Sequence, residues 1–144
     1  MSRSIGIDFT LAALPSLGQF VDLLRVHGAW VGRGASLAFM SNEDGLYDWN
    51  SRPLADTSQV LAHISAALEA GIEVAFAVSW TDGVHGGDFL FLPTEKVIAF
   101  TPNADSPTVN DSCNIVALGW YLDAIVPIVA PCGIFKYRAE NMPS

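Results

Sequence analysis

Three patterns in this sequence predict an α+β fold: a single domain over residues 1–144, with a mainly antiparallel sheet and about three helices packed against it. Apolar residues alternate with a period of two in several short segments. They recur with a helical period in three others. The connections between several strands are too short for a crossover helix, so those strands must pair as hairpins.

The elements follow in order. Ser4 to Thr10 sets Ile5, Ile7 and Phe9 against Gly6 and Asp8, a strand with one buried face. From Leu14 the period changes. Leu14, Leu17, Phe20, Val21 and Leu24 form a stripe opposite Gln19, Asp22 and Arg25, giving a helix from Pro15 to His27. Pro15 suits its first turn and Gly28 the left-handed residue that ends it. A loose connection through Gly32, Gly34 and Ala35 leads to a strand near Ser36 to Met40. Ser41 to Gly45 has turn chemistry, Leu46 to Trp49 is expected to return as a short strand, and Arg52-Pro53 ends it. Asp56 or Thr57 caps a second helix built on Val60, Leu61, Ile64, Ala67 and Leu68, and Gly71 stops it.

Ile72 to Trp80 is almost continuously apolar, as a central strand covered on both faces would be. Thr81 to Asp88 reads as a Gly-rich turn, after which Phe89 to Leu92 and Lys96 to Thr101 complete an antiparallel meander. Pro102 to Ser112 is a long surface loop. Asp111 or Ser112 caps a third helix through Ile115, Val116, Leu118, Tyr121, Leu122 and Ile125, ended or kinked by Pro127. Gly133 to Tyr137 forms a last strand or extended tail. A ferredoxin-like split arrangement is one candidate for the strand order.

Composition excludes several functions. At 51% hydrophobic the chain is not disordered, and at 144 residues it can hold a core without disulfide or metal. Fifteen acidic residues face seven basic ones, a net charge of −8. That balance disfavours nucleic acid and anionic membrane, and it favours a basic protein partner. Lys96 and Lys136 are the only lysines, so no basic stripe exists. The first residues lack the apolar core of a signal peptide. The apolar run Ile115 to Ala130 is broken by Asp123 and Pro127, short of the ~20 residues that span a bilayer. The expected location is cytoplasmic, with Cys113 and Cys132 as buried free thiols.

No catalytic, metal or cofactor signature emerges. In Asp82-Gly83-Val84-His85-Gly86-Gly87-Asp88 a histidine is flanked by two carboxylates, which could ligate a divalent ion or move protons. The glycines explain the same segment as a hairpin tip. His27 and His63 read as structural, and Gly32-Arg33-Gly34 lacks the rest of a phosphate loop. The segment Asn42 to Asn50 is more informative, because it sets Tyr47 and Trp49 among Glu43, Asp44 and Asp48. Aromatic anchors ringed by carboxylates suit a patch that engages a basic protein. Alternatively, the two aromatics alternate into the core. Asp82, His85 and Asp88, with Asp105 and Asp111, would extend the same surface.

The expectation is therefore a non-enzymatic binding module, most concretely an immunity or inhibitor protein that neutralises a cognate bacterial toxin. The alternative is a small enzyme or ligand-binding domain with a site near Asp82, His85 and Asp88, joined in space by His63 or Cys113. A third reading is a homodimer or other homo-oligomer, marked by an apolar patch on the third helix.

Overall fold

The computed structural model describes residues 4–110 and 115–142. One sheet holds β1 (Ser4–Leu11), β2 (Ala29–Val31), β3 (Ser36–Ser41), β4 (Trp49–Pro53), β5 (Val74–Trp80), β6 (Gly86–Leu92), β7 (Val97–Pro102) and β8 (Ile134–Met142). Three helices accompany it: α1 (Leu17–Val26), α2 (Thr57–Glu69) and α3 (Leu118–Val129). Every strand pair is antiparallel, in the order β4-β3-β5-β6-β7-β1-β8, with β2 in line with β3 along the same edge of β5. The chain is an α+β fold.

Local chemistry sets the helix ends. Ser16 Oγ accepts the Gln19 N–H at 3.2 Å and the Gln19 side chain accepts the Ser16 N–H at 3.2 Å, a capping box that starts α1. Gly28 and Gly71, at φ 80° and 83°, take the left-handed conformation beyond α1 and α2. At the start of α2 Asp56 makes no side-chain cap bond, its carboxylate being paired with Arg52 at 2.9 Å, and the Thr57 hydroxyl donates to the Leu54 carbonyl at 2.6 Å.

All three helices lie on one face of the sheet. Phe20 of α1 meets Phe89 and Phe91 edge-on at 5.0 Å, and Tyr121 of α3 lies 4.9 Å from Phe100. Val60, Ile64 and Ala67 of α2 join the same core. Split crossovers occur twice: β4-α2-β5 encloses β3, and β7-α3-β8 encloses β1. The order departs from the four-stranded ferredoxin-like arrangement, because the whole β5-β6-β7 meander lies between β1 and β2.

The opposite face carries no helix. Register aligns Trp49, Met40, Ala75, Leu90, Ala99, Asp8 and Arg138 in one row across seven strands. Met40, Ala75 and Ala77 are buried yet stand outside the helix-side core. At the far edge, β8 carries Lys136, Arg138 and Glu140 and a register shift beside Thr10, features that discourage edge pairing.

Four expectations are corrected. The connection after α1 contains β2, hidden in the sequence because a three-residue strand shows no period. The returning strand is Trp49–Pro53 and not Leu46 to Trp49, since loop hydrogen bonds occupy residues 42–47 first. Gly86, Gly87 and Asp88 belong to β6 and not to a hairpin tip; a Cβ on Gly87 would overlap the Thr101 carbonyl and the Phe100 ring. Finally, α3 starts at Leu118, because Val116 is drawn into a bridge with Thr108, and it runs past Pro127 to Val129. Its expected caps, Asp111 and Ser112, lie outside the described residues, as does Cys113 and with it the thiol pairing of Cys132. No helix of the described residues is long and apolar enough to cross a membrane.

Candidate functional site

The structure divides the candidate residues between the two ends of β5. Glu43, Asp44, Tyr47, Asp48 and Trp49 cluster on the β3–β4 hairpin, beside the start of β5. Asp82 and His85 occupy the turn after its end. Seven residues of strand put about 23 Å between the groups.

At the first end a network built on Glu73 fixes the hairpin loop. Glu73 Oε1 accepts the Tyr47 hydroxyl at 2.8 Å and the Asn42 amide at 3.1 Å. Asn42 Oδ1 accepts the Tyr47 N–H at 3.1 Å, and Asp44 Oδ1 the Leu46 N–H at 3.0 Å. These bonds hold Tyr47 at φ 54°, a left-handed conformation that a bulky side chain adopts at a cost. The Glu73 hydrogen bond, then burial and the Glu73 charge, keep the Tyr47 phenol protonated above its ordinary range. Glu43 pairs with His63 Nε2 of α2 at 3.3 Å, which places His63 at this end and not near His85. The loop is ordered by its own bonds, yet Leu46, Tyr47 and Trp49 remain 68%, 50% and 47% exposed. Neither aromatic is absorbed into the core.

At the second end, Asp82 Oδ1 accepts the N–H groups of Val84 at 2.8 Å and His85 at 3.0 Å, while Oδ2 meets His85 Nδ1 at 2.5 Å. Burial pushes this carboxyl up, but the donors outweigh it and hold Asp82 below the usual carboxylate range. The His85 ring lies flat on Trp120 at 3.5 Å and edge-on to Tyr121 at 5.3 Å, leaving 12% of the side chain exposed. Behind it the Tyr121 hydroxyl contacts Ser106 Oγ at 2.7 Å and donates to the Gly86 carbonyl at 3.2 Å.

Asp88 does not join this pair. Its partners across the sheet are Ala77 and Thr101, so it stands on the face opposite the helices. Burial raises its carboxyl above the ordinary range and the nearby Arg33 partly opposes that. Among the described residues no hydrogen bond reaches it. Asp105 is tied to Arg33 at 3.3 Å, and Asp111 lies outside the described residues.

Sequence reasoning passes over Glu73, Trp30, Arg33, Asn103, Ser106, Trp120 and Tyr121 as site residues. One signal was present: Glu73 is the only charge in the apolar run Ile72 to Trp80. Among the described residues no three His, Cys, Asp or Glu side chains are grouped to hold a metal ion. No family model matches the chain, and comparisons with curated proteins and with solved structures find no significant match.

Proposed function

We propose that this chain is a non-enzymatic, acidic protein-binding module that engages a basic partner through the β3–β4 hairpin. In its most concrete form it is a bacterial cytoplasmic immunity or inhibitor protein that neutralises a cognate toxin. The observation that carries the reading is the exposure of Leu46, Tyr47 and Trp49 on a loop already held by Glu73 and Asn42. A contact loop ordered beforehand loses little conformational freedom on binding, so more of its contact energy appears as affinity. Glu43, Asp44 and Asp48 surround these side chains, and the net charge of −8 steers a basic surface toward them.

The homodimer reading has less support. No large apolar side chain of α3 is exposed, so the expected patch on the third helix is lacking.

Trp49 gives the reading a magnitude. Covering the exposed half of an indole removes ~100 Å² of apolar surface from water, about 2.5 kcal/mol at ~25 cal/mol/Å². Trp49→Ala is therefore expected to weaken the complex by about 70-fold. The test isolates the tagged chain from its native host, identifies the co-purifying protein and assays that protein's activity alone and in complex. A basic partner whose toxicity is suppressed at one-to-one stoichiometry, and escapes Trp49→Ala and Tyr47→Ala, is expected. Absence of a stable partner, or binding indifferent to both substitutions, refutes the reading.

A further inference from the structure

A cleft of about 340 Å³ lies at the His85 end of the sheet, between the β2–β3 connection and the β5–β6 turn, far from the hairpin. Its lining includes Trp30, Arg33, Thr81, His85, Asn103 and Asp105. That volume falls in the lower range of small-molecule sites, which also combine an apolar surface with a few convergent polar groups. A larger groove of about 490 Å³ beside Leu14 and Leu23 is mainly aliphatic and offers little to orient a ligand.

The charges of the smaller cleft are already matched. Arg33 faces both carboxylate oxygens of Asp105 at 3.3 and 3.4 Å, and Asp82 is engaged by the His85 ring. An ionic ligand would therefore meet its own sign beside every counter-charge. The unengaged groups are single hydrogen-bonding atoms. With Nδ1 directed at Asp82, the His85 ring leaves Nε2 as its one nitrogen for a further hydrogen bond. Among the described residues, Nε2 has no partner, and neither do the Asn103 carboxamide and the Thr81 hydroxyl. Gly86 lets the carboxamide lie there, since a Cβ on it would come within 2.7 Å of Asn103 Nδ2. Trp30 adds a half-buried indole to the same wall.

We infer that this cleft binds a carbohydrate ring. A sugar carries no charge, each of its hydroxyls both donates and accepts, and its C–H face packs on an indole. Its hydroxyls can hydrogen-bond His85 Nε2 in either direction and exchange hydrogen bonds with Asn103 and Thr81, and its ring can lie against Trp30. The Asp82–His85 pair and the stacking on Trp120 fix the imidazole before the ligand arrives. This inference stands independently of the partner-binding reading.

The experiment is a millimolar NMR titration of the full chain with the methyl glycosides of glucose, galactose, mannose and N-acetylglucosamine. At least one should give saturable shifts at the Trp30 indole N–H and the His85 ring while the Trp49 indole stays still. Asn103→Ala and the exposed Thr81→Val should each weaken that binding by about fivefold to tenfold, with spectral dispersion reporting that the variants fold. Three outcomes would overturn the inference: no response to any glycoside, a response to acetate or ammonium alone, or glycoside shifts that both substitutions leave unchanged.

Discussion

Tyr121→Phe probes the contact that ties α3 to the β5–β6 turn. The substitution keeps the ring among Trp80, Phe100 and His85 and deletes only the hydroxyl. In the wild type that hydroxyl donates to the Gly86 carbonyl at 3.2 Å and therefore accepts from Ser106 Oγ at 2.7 Å. Gly86 O keeps a second donor, the Asn103 N–H at 2.9 Å, so it tolerates the loss, whereas the buried Gly86 N–H, which donates to the phenol oxygen at 3.3 Å, loses its acceptor. Ser106 is 6% exposed and has no such reserve among the described residues. A buried hydroxyl left unpaired costs roughly 1–3 kcal/mol, which puts Tyr121→Phe at about 1.5–2 kcal/mol. Ser106→Ala alone leaves the tyrosine its Gly86 contacts and should cost about 0.5–1 kcal/mol. The double variant should be no worse than Tyr121→Phe, because both ends of the bond are then apolar. Urea unfolding of the four proteins, read by tryptophan fluorescence, measures a coupling energy of about 1 kcal/mol. Strict additivity, or a Tyr121→Phe as stable as wild type, would refute this account of how the turn is anchored.

Other perturbations test separate parts of the structure. Gly87→Ala should destabilise by about 2–3 kcal/mol, seen as a lower urea midpoint, because its Cβ would strike the backbone carbonyl of Thr101 as well as Phe100. Asp88 has a raised carboxyl pKa in the folded chain, so folding favours its protonated form and ionisation costs stability as pH rises through that value. Asp88→Asn should therefore raise Tm by a few degrees at neutral pH, and thermal melts should show the gain vanishing below the ordinary value of 3.8. Tyr47 is raised by its bond to Glu73, so the stability from that bond is intact below 10.0 and lost as pH climbs through the higher folded value. NMR titration of the Tyr47 ring should show this ionisation moving down in Glu73→Gln.

Much of the architecture was legible because it rests on local period. The alternation of Ile5, Ile7 and Phe9, the stripe Leu17, Phe20, Val21 and Leu24, and the two-sided apolar run at β5 each identify their own element. The misplaced boundaries occur where a long-range contact overrides local pattern. Gly86 and Gly87 have turn composition, yet β6 needs glycine there because Asn103 and Phe100 crowd the strand from β7 and its following loop. Val116 fits a helical stripe, yet its bridge to Thr108 delays α3. Strand order depends on which hairpins lie side by side, and nothing in the sequence of β1 announces its neighbours as β7 and β8.

The candidate site shows the same division more sharply. Tyr47 and Trp49 were visible as aromatics among carboxylates, but whether they point inward depends on where β4 begins. A strand from Leu46 would put both, two residues apart, on the same sheet face. The observed start at Trp49 frees residues 46–48 as loop, and Glu73, 26 positions from Tyr47, decides that start by holding the phenol and Asn42. Likewise, Asp82 and His85 look like a turn because Asp82 does cap the backbone there. Their further character comes from Trp120 and Tyr121, 35 and 36 positions from His85 and reached only because α3 folds back over β7. Residues that shape a site through long-range side-chain bonds leave no periodic trace. An isolated charge inside an apolar run, such as Glu73, is the nearest the sequence comes to marking one.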